Sequence, residues 1–363
     1  MPVILFVLNP GSTSTKTALF RDDQSIFSET IRHRPEELQM AKNLGAQLPI
    51  RLAAVEDALA RALAGNGLGE ADLAAIVGRG GLLHGVPSGT YRIGPAMLAD
   101  LASSRYGEHA SNLGAPIADR LASRLGVPAF IVDPTTVDEL EPLARYTGSP
   151  RFQRKSIFHA LNQKAVARLS AVSLGKTYEQ CNLIVAHLGG GISVGLHKHG
   201  RVVDVNNAIE EGPFSPERTG TLPSLQLVDL CLSGEMDRAG IRKMINGQGG
   251  LYAYTGTTDC REIEELSVNR PDYRILLEAM AYQVAKEIGA LSAVLAGPAD
   301  AVILTGGLAY SKLITGLIAS RVAHFGPVIV HPGENEMSAL ANGARRVLEG
   351  RENSRDYIRE PIE

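Results

Sequence analysis

Continuous apolar runs at two places in the chain predict two similar hairpins. Residues 3–8 are uniformly apolar and lead through a polar turn at 9–14 into a second strand at 16–20. The same order returns at 182–187 and 192–197, joined by a glycine turn at 188–191 and followed by a third strand at 200–205. Apolar runs of this length are typical of buried strands. The repetition predicts two related α/β domains rather than one doubly wound sheet with a single glycine loop.

Apolar residues at helical spacing predict helices between and after these hairpins. Leu52, Val55, Leu59 and Leu63 recur every three or four positions, which predicts a helix over 51–65. Further helices are predicted near 115–125, 159–174, 223–232, 235–246, 272–296, 311–323 and 338–348, and further strands at 73–78, 128–132, 300–305 and 327–331. The alternation favours an α/β fold. The turn at 147–150 predicts one domain of residues 1–148, joined by a returning helix in 338–363, and a second domain of 149–337.

Charge and cysteine content narrow the class of partner. The 363 residues include 36 Lys and Arg against 39 Asp and Glu, so the formal charge is 36 − 39 = −3, without the positive field that nucleic-acid or anionic-membrane binding requires. Three widely spaced cysteines form no C-x-x-C pair, which favours a reducing cytoplasm over a disulfide or zinc framework. The apolar start lacks a basic segment, so neither a signal peptide nor a membrane span is expected.

The first turn has the composition of a phosphate site. Three hydroxyl residues, Ser12, Thr13 and Ser14, precede Lys16, so hydroxyls, backbone N–H groups and one cation could surround phosphate oxygens. The turn is not a Walker A loop, because G-x-x-x-x-G-K-[ST] is absent and a strand follows. An ordinary polar hairpin is the alternative interpretation.

Two glycine turns have a similar interpretation. Gly189, Gly190 and Gly191 allow a backbone to approach a ligand closely, although they also suit a merely flexible turn. Gly306 and Gly307 follow a predicted strand at its carboxyl end, where open α/β sheets bind ligands, although a tight strand-to-helix turn is the alternative. Three such turns in one chain favour a nucleotide site.

Four segments together resemble a known family. Residues 9–16, 187–193, 204–208 and 212–220 are similar to those of the butyrate kinases, which belong with the acetate kinases in the superfamily of actin, hexokinase and the Hsp70 ATPase. The similarity covers nearly the whole chain. It implies two actin-like (ribonuclease H-like) domains with a nucleotide cleft between them that closes on its ligands. It also implies reversible transfer of the ATP γ-phosphoryl group to a short-chain carboxylate, giving an acyl phosphate and ADP, by a homo-oligomer.

The resemblance assigns catalytic and phosphate-binding residues. Arg79 and Arg218 occupy positions similar to the two active-site arginines of acetate kinases, and a guanidinium fork suits a carboxylate or a phosphoryl face. A surface ion pair is the alternative for either arginine alone. His159 resembles the histidine that contacts the transferring phosphoryl group, and His187 the one that opens the second phosphate turn.

Carboxylates implied to organise Mg²⁺, largely through waters, are Asp133 and Glu336. Glu334 competes with Glu336 for this role, and Glu336 could alternatively be an acidic residue in the first turn of a helix. Asn9 is implied to contact phosphate or a water of the magnesium ion.

The remaining assignments concern the substrate and the adenosine. His109, Gly81 and Phe158 are implied near the carboxylate substrate, and Asp259, Arg261, Gly306 and Gly307 near the adenosine. Acetate kinases carry a second histidine four residues after the position of His159, where this chain has Gln163. The other histidines, His33, His197, His199 and His324, are interpreted as structural.

Substrate size is interpreted from Gly80 and Gly81, which replace bulky residues of acetate kinases and could leave room for a longer acyl chain. Each buried methylene contributes only about 0.8 kcal/mol, so discrimination among neighbouring acids should be gradual. The alternatives are a kinase for a branched-chain or propionate-type acid, and an actin-like nucleotide switch that phosphorylates no metabolite.

Overall fold

The computed structural model describes residues 2–39, 41 and 43–359 of the chain. It divides into two compact units: unit 1 contains the residues up to Val137 and those from Asn335 onward, and unit 2 contains Asp138–Glu334. The predicted domain turn at 147–150 thus lies within unit 2. Over the described residues, every helix is too short or too polar to cross a membrane.

The described residues form twelve strands, which are β1 (Ile4–Pro10), β2 (Ser14–Arg21), β3 (Gln24–Arg32), β4 (Leu73–Arg79), β5 (Thr90–Arg92), β6 (Ala129–Val132), β7 (Asn182–Leu188), β8 (Ile192–Lys198), β9 (Arg201–Val205), β10 (Ala301–Gly306), β11 (Val328–Pro332) and β12 (Arg355–Asp356). The same residues form twelve α-helices, which are α1 (Pro35–Gln39), α2 (Leu48–Gly65), α3 (Pro95–Ala102), α4 (Gly114–Leu125), α5 (Ala160–Ser173), α6 (Ser224–Ser233), α7 (Arg238–Ile245), α8 (Gly250–Thr255), α9 (Cys260–Leu266), α10 (Pro271–Leu295), α11 (Lys312–Val322) and α12 (Glu336–Leu348).

The sheet of unit 1 has the strand order β12-β5-β6-β4-β1-β2-β3. Strands β1, β4 and β6 are parallel neighbours, whereas β1, β2 and β3 form an antiparallel meander. Strand β1 is buried along nearly its whole length, as expected for a central strand whose two faces are both covered. Its Phe6 and Leu8 belong to one apolar core with Val55 of α2 and Ile117 of α4.

The sheet of unit 2 has the order β11-β10-β7-β8-β9. Strands β7, β10 and β11 are parallel, and β7, β8 and β9 form an antiparallel meander. The pattern of meander plus two parallel strands therefore occurs in both units. The core of unit 2 packs Leu277, Val284 and Ile288 of α10 against β7 and β8, and it also contains apolar residues of β10. The prediction of two related α/β domains is confirmed by this repeated topology, which is that of a two-domain actin-like fold.

Several predicted elements are present with boundaries shifted by a few residues, and some elements were missed. The first hairpin continues into β3, whose alternating polar and half-buried residues do not form an apolar run. The helices α3, α8 and α9 were also missed, because each has eight or fewer residues and too few turns to show a helical period.

Candidate functional site

Three predicted site residues lie at one edge of the sheet of unit 1. Asn9 is the last residue but one of β1, Arg79 is the last residue of β4, and Asp133 directly follows β6. The three strands are parallel neighbours, with Leu8 opposite Gly78 and Arg79 opposite Val132. The carboxyl ends of parallel strands meet at the edge where open α/β sheets bind ligands. The fold thus brings one amide, one guanidinium and one carboxylate to this edge.

Glu336 joins Asn9 and Arg79. It is the first residue of α12, and its Oε2 accepts a hydrogen bond of 2.6 Å from Asn9 Nδ2. Its Oε1 lies 2.8 Å from Arg79 Nη1, and Arg79 is only 7% exposed. This Nη1 makes no hydrogen bond of good geometry within the described chain, so it is a buried donor held only by charge. The long-range pairing argues against the interpretation of Glu336 as an isolated helix-terminal acid.

Asp133 is held in a strained backbone conformation. Its φ is +38°, in the left-handed region that a residue with a Cβ rarely adopts. Its Oδ1 accepts hydrogen bonds from the Ser88 hydroxyl at 2.6 Å and the Gly89 backbone N–H at 2.9 Å. The carboxylate is 1% exposed. These contacts fix the side chain at the sheet edge.

The backbone of the turn between β1 and β2 is hydrogen-bonded by a buried arginine that was not predicted from the sequence. Arg51 of α2 is completely buried and donates to the backbone oxygens of Gly11, Ser12 and Ser14 at 2.9, 2.9 and 3.2 Å. Burial lowers the pKa of its guanidinium. Ser12 and Thr13 are exposed, Ser14 is half-buried, and Lys16 is exposed opposite Asn9 in the ladder. The turn therefore presents its hydroxyls to solvent on a fixed backbone.

Gly80 and Gly81 do not leave open space, so the interpretation of an enlarged acyl pocket at these glycines is wrong. A Cβ on Gly80 would lie 2.8 Å from Pro134 Cβ, and a Cβ on Gly81 would lie 2.6 Å from Asn112 Cα. The glycines are required by close packing of the chain itself. His109 is exposed, and its Nδ1 lies 2.8 Å from the Ser111 hydroxyl.

Two predicted histidines stack in unit 2. The rings of His159 and His187 have centroids 3.8 Å apart and an interplanar angle of 9°. His159 precedes α5, and its Nδ1 lies 2.8 Å from the Ser193 hydroxyl of β8. His187, near the end of β7, has its Nδ1 2.8 Å from Asn162 Oδ1 and its Nε2 3.2 Å from Glu334. Phe158 is buried beside His159.

Arg218 lies against the glycine turn. A Cβ on Gly191 would overlap the Arg218 guanidinium, so Arg218 can lie here because Gly191 has no side chain. Arg218 Nη1 donates to the Ala208 carbonyl at 2.8 Å, while its buried Nε has no hydrogen-bond partner in the described chain. Burial lowers the pKa of the guanidinium, and the charge of Glu217 opposes this effect.

The other two glycines of the turn contact carboxylates. A Cβ on Gly189 would lie 3.2 Å from Glu334 Oε1, and one on Gly190 would lie 3.1 Å from Glu217 Oε1. The Gly190 carbonyl accepts a hydrogen bond from the Ser215 hydroxyl. The turn at 189–191 is therefore held by side chains of the 215–218 segment, and is not merely flexible.

Three of the four residues predicted near the adenosine line one cavity, and Gly306 does not. Asp259, Arg261 and Gly307 line a cavity of about 900 Å³ together with Tyr310 and Lys312. Asp259 caps α9, and the backbone N–H of Arg261 holds the pKa of its carboxyl below the usual range. Gly307 faces open space, whereas Gly306 has a φ of +91° and would clash with the Leu188 backbone if it carried a Cβ.

Glu334 and Glu336 have different surroundings. Glu334 follows β11 in unit 2 and contacts His187, whereas Glu336 contacts Asn9 and Arg79 in unit 1. A magnesium ion that keeps most of its waters needs only one or two carboxylates together with substrate phosphates. Asn9, Asp133 and Glu336, on one sheet edge, fit such an outer-shell role. Within the described residues, no group of three or more His, Cys, Asp or Glu forms a direct metal cage.

Comparison with known proteins places the chain in a family. The model of the acetokinase family matches residues 147–354. Butyrate kinase 2 of Clostridium acetobutylicum is 49% identical over 355 residues, covering 97% of this chain and 99% of the relative.

Solved structures agree with this fold. An acetate kinase from Porphyromonas gingivalis has a TM-score of 0.78 at 20% identity, covering 95% of this chain and all of that one. A propionate kinase from Francisella tularensis has a TM-score of 0.73 at 19% identity, covering 94% of this chain and 98% of that one. At these identities the structures establish the fold alone, while the family match and the full-length relative show that this chain is a member of the acetokinase family.

Proposed function

We propose that this protein is a butyrate kinase, which reversibly transfers the γ-phosphoryl group of ATP to butanoate and forms butanoyl phosphate and ADP. The proposal rests on the 49% identity to a butyrate kinase along nearly the full length of both chains. A carboxylate is already ionised at neutral pH, so it needs no general base. The enzyme must instead hold two anions together and stabilise charge in the transition state.

The observation that carries the chemistry is the guanidinium of the half-buried Arg218, whose Nε is buried. Its Nε lacks a hydrogen-bond partner in the described chain, and it lies on a glycine turn at the carboxyl end of β7. Leaving a buried charged donor unsatisfied is costly unless a ligand completes it. An anionic oxygen is the matching acceptor, and a transferring phosphoryl group supplies three.

Arg79 supplies a second guanidinium in this proposal. It is oriented by Glu336, which also holds Asn9. Arg79 would bind the carboxylate substrate, while the stacked His159 and His187 would contact the phosphoryl group, as the family resemblance implies. That residues of both units act on one nucleotide stays a prediction.

Nucleotide and metal complete the proposal. The β1–β2 turn, with Ser12, Thr13, Ser14 and Lys16, and the glycine turn at 189–191 would bind phosphates, and the cavity beside Gly307 would hold the adenosine. Asn9, Asp133 and Glu336 would hold the waters of Mg²⁺. The ion, when bound with the nucleotide, neutralises phosphate oxygens.

Butanoate is proposed from the relative, because Gly80 and Gly81 open no space. A propionate-type or branched-chain acid, and a nucleotide switch without a metabolite substrate, are therefore outcomes that the experiment must separate. Trapping acyl phosphate with hydroxylamine in the presence of ATP and Mg²⁺ tests acetate, propionate, butyrate, isobutyrate and valerate together.

We expect the largest kcat/KM with butyrate and a loss of about 100-fold or more in Arg79→Ala and Arg218→Ala. Arg270→Ala is a matched control, because the Arg270 side chain is 51% exposed and pairs, within the described residues, with Asp272 and the Tyr273 ring. A maximum at another acid would reassign the substrate, and ATP binding without any hydroxamate would favour the switch.

Self-association through helix α6 is also proposed. Helix α6 has no buried residue, and its Leu225, Val228 and Leu232 are 79%, 50% and 81% exposed at helical spacing. Exposed apolar stripes mark interaction surfaces. Sedimentation should give a dimer or larger oligomer for the natural protein and a smaller species for Leu225→Glu/Leu232→Glu. A monomeric natural protein would contradict the proposal.

A further inference from the structure

A line of buried polar side chains runs through unit 2 behind His159. Ser193, Gly195 and His197 alternate along β8, so they lie on one face of the strand, and Gln163 of α5 packs against all three. Gln163, Ser193 and His197 are each completely buried. Gly195 is required for this packing, because a Cβ there would lie 2.6 Å from Gln163 Oε1. Buried polar groups are nearly always hydrogen-bonded, so the contacts restrict where each proton is.

The orientation of the Gln163 amide follows from one backbone group. Gln163 Nε2 lies 3.0 Å from the Ser193 carbonyl oxygen, which can only accept a hydrogen bond. The nitrogen must therefore face Ser193, and Oε1 must face His197 Nε2 at 3.0 Å. His197 then carries its proton on Nε2 and accepts on Nδ1 from the Tyr178 hydroxyl, 2.7 Å away. Complete burial lowers the pKa of His197 well below its usual value, consistent with a neutral ring.

The other amide hydrogen determines the role of Ser193. Gln163 Nε2 also donates to the Ser193 hydroxyl at 2.8 Å, so this oxygen is already an acceptor. Its own hydrogen is then directed to His159 Nδ1, 2.8 Å away. A proton on His159 Nδ1 would instead leave the hydroxyl hydrogen of the buried Ser193 without an acceptor in the described chain. The neutral His159 ring therefore carries its proton on Nε2.

We propose that Gln163 is a positioning residue, which acts through Ser193 to keep His159 as the Nε2–H tautomer, a hydrogen-bond donor toward the phosphoryl group. The contact of His159 with the phosphoryl group rests on the proposed function. The tautomer itself rests on the hydrogen bonds of unit 2 alone. A ring with the opposite tautomer would direct a lone pair at phosphoryl oxygens and repel them.

The test combines histidine ¹⁵N NMR of the full chain with acyl hydroxamate kinetics. In the natural protein we expect His159 protonated on Nε2. In Gln163→Glu the carboxylate cannot donate and takes the Ser193 hydroxyl hydrogen, so the His159 proton moves to Nδ1. We expect kcat to fall by about 100-fold with little change in the KM for ATP. Ser193→Ala, a smaller change, should leave both tautomers populated and lower kcat as well.

Tyr178→Phe is the matched control. This variant removes the hydroxyl group that donates to His197, whereas the Ser193 carbonyl still orients Gln163. The His159 tautomer should therefore be unchanged, and kcat should stay within about twofold of the value for the natural protein. His159 protonated on Nδ1 in the natural protein would overturn the proposal, as would an unchanged tautomer in both Gln163→Glu and Ser193→Ala. If the natural protein forms no hydroxamate, the proposed function fails, but the NMR result still decides the role of Gln163.

Discussion

Gly191 lies directly against the guanidinium of Arg218, at a separation that leaves no room for a Cβ. The glycine turn and the arginine are thus one structural unit, although the two residues are well separated along the chain. The glycine turn at 189–191 therefore provides the space that the Arg218 guanidinium occupies, in addition to its backbone N–H groups.

Gly191→Ala should displace Arg218 and lower kcat/KM by about 100-fold, because the added methyl group overlaps the Arg218 guanidinium. Steady-state kinetics with ATP and butyrate measures the loss. Gly316→Ala in α11 is the control, since a Cβ there meets nothing within 4 Å. Equal activity of Gly191→Ala and the control would exclude a catalytic role for this contact.

Glu336→Gln should raise the Mg²⁺ concentration needed for half-maximal activity and lower kcat by about 100-fold. The amide removes the charge that faces buried Arg79, and it would be a weaker acceptor than a carboxylate for the waters of the proposed Mg²⁺. Glu334→Gln is the comparison, since Glu334 contacts His187 and is 42% exposed. A larger change in the Mg²⁺ dependence of Glu334→Gln would assign the metal role to Glu334.

Arg51→Met should raise the KM for ATP at least tenfold and lower the free energy of unfolding by about 3 kcal/mol, because the carbonyls of the β1–β2 turn lose their buried donors. Denaturant titration and kinetics measure the two effects. Arg61→Met, on the same helix, removes an exposed pair with Glu29 and should cost less than about 1 kcal/mol. Similar losses in both variants would contradict the assigned role.

Gly307→Leu should raise the KM for ATP about tenfold or more while leaving the unfolding temperature nearly unchanged. A side chain at Gly307 enters open space beside the cavity proposed for adenosine, so it should obstruct the nucleotide without straining the fold. Gly306→Ala should instead destabilise the protein, since its Cβ meets the Leu188 backbone. An unchanged KM in Gly307→Leu would remove this cavity from the nucleotide site.

Stability should decrease as the pH falls below about 6.5. Burial lowers the pKa of His33, His197 and His331 in the folded state, so the unfolded chain binds protons that the folded chain does not. Each group then contributes a loss of up to about 1.4 kcal/mol per pH unit, between its unfolded and folded pKa values. Urea unfolding at pH 7.5 and 5.5 measures the slope, which should decrease in His33→Gln. An identical slope in that variant would contradict the contribution of His33.

The sequence by itself determined both hairpins, most helices, the repeated topology and the three turns. These features depend on local preferences: apolar runs predict buried strands, and glycine permits backbone conformations that other residues avoid. The roles of Asn9, Arg79 and Asp133 were implied by the family resemblance, and the local pattern located these residues near the ends of predicted strands. The short helices and the amphipathic β3 were missed, since their patterns are weak.

Only the tertiary structure showed that Glu336 contacts Asn9 and Arg79 whereas Glu334 contacts His187, because Asn9 and Glu336 are 327 positions apart and no spacing rule relates them. It also showed that neighbouring residues fill the space beside Gly80 and Gly81, that Arg51 donates to the carbonyls of the β1–β2 turn, and that Gln163 and His159 both contact the Ser193 hydroxyl. Each of these depends on which side chains the fold brings into contact. Such long-range packing and the satisfaction of buried hydrogen bonds are properties of the folded chain and have no local sequence pattern.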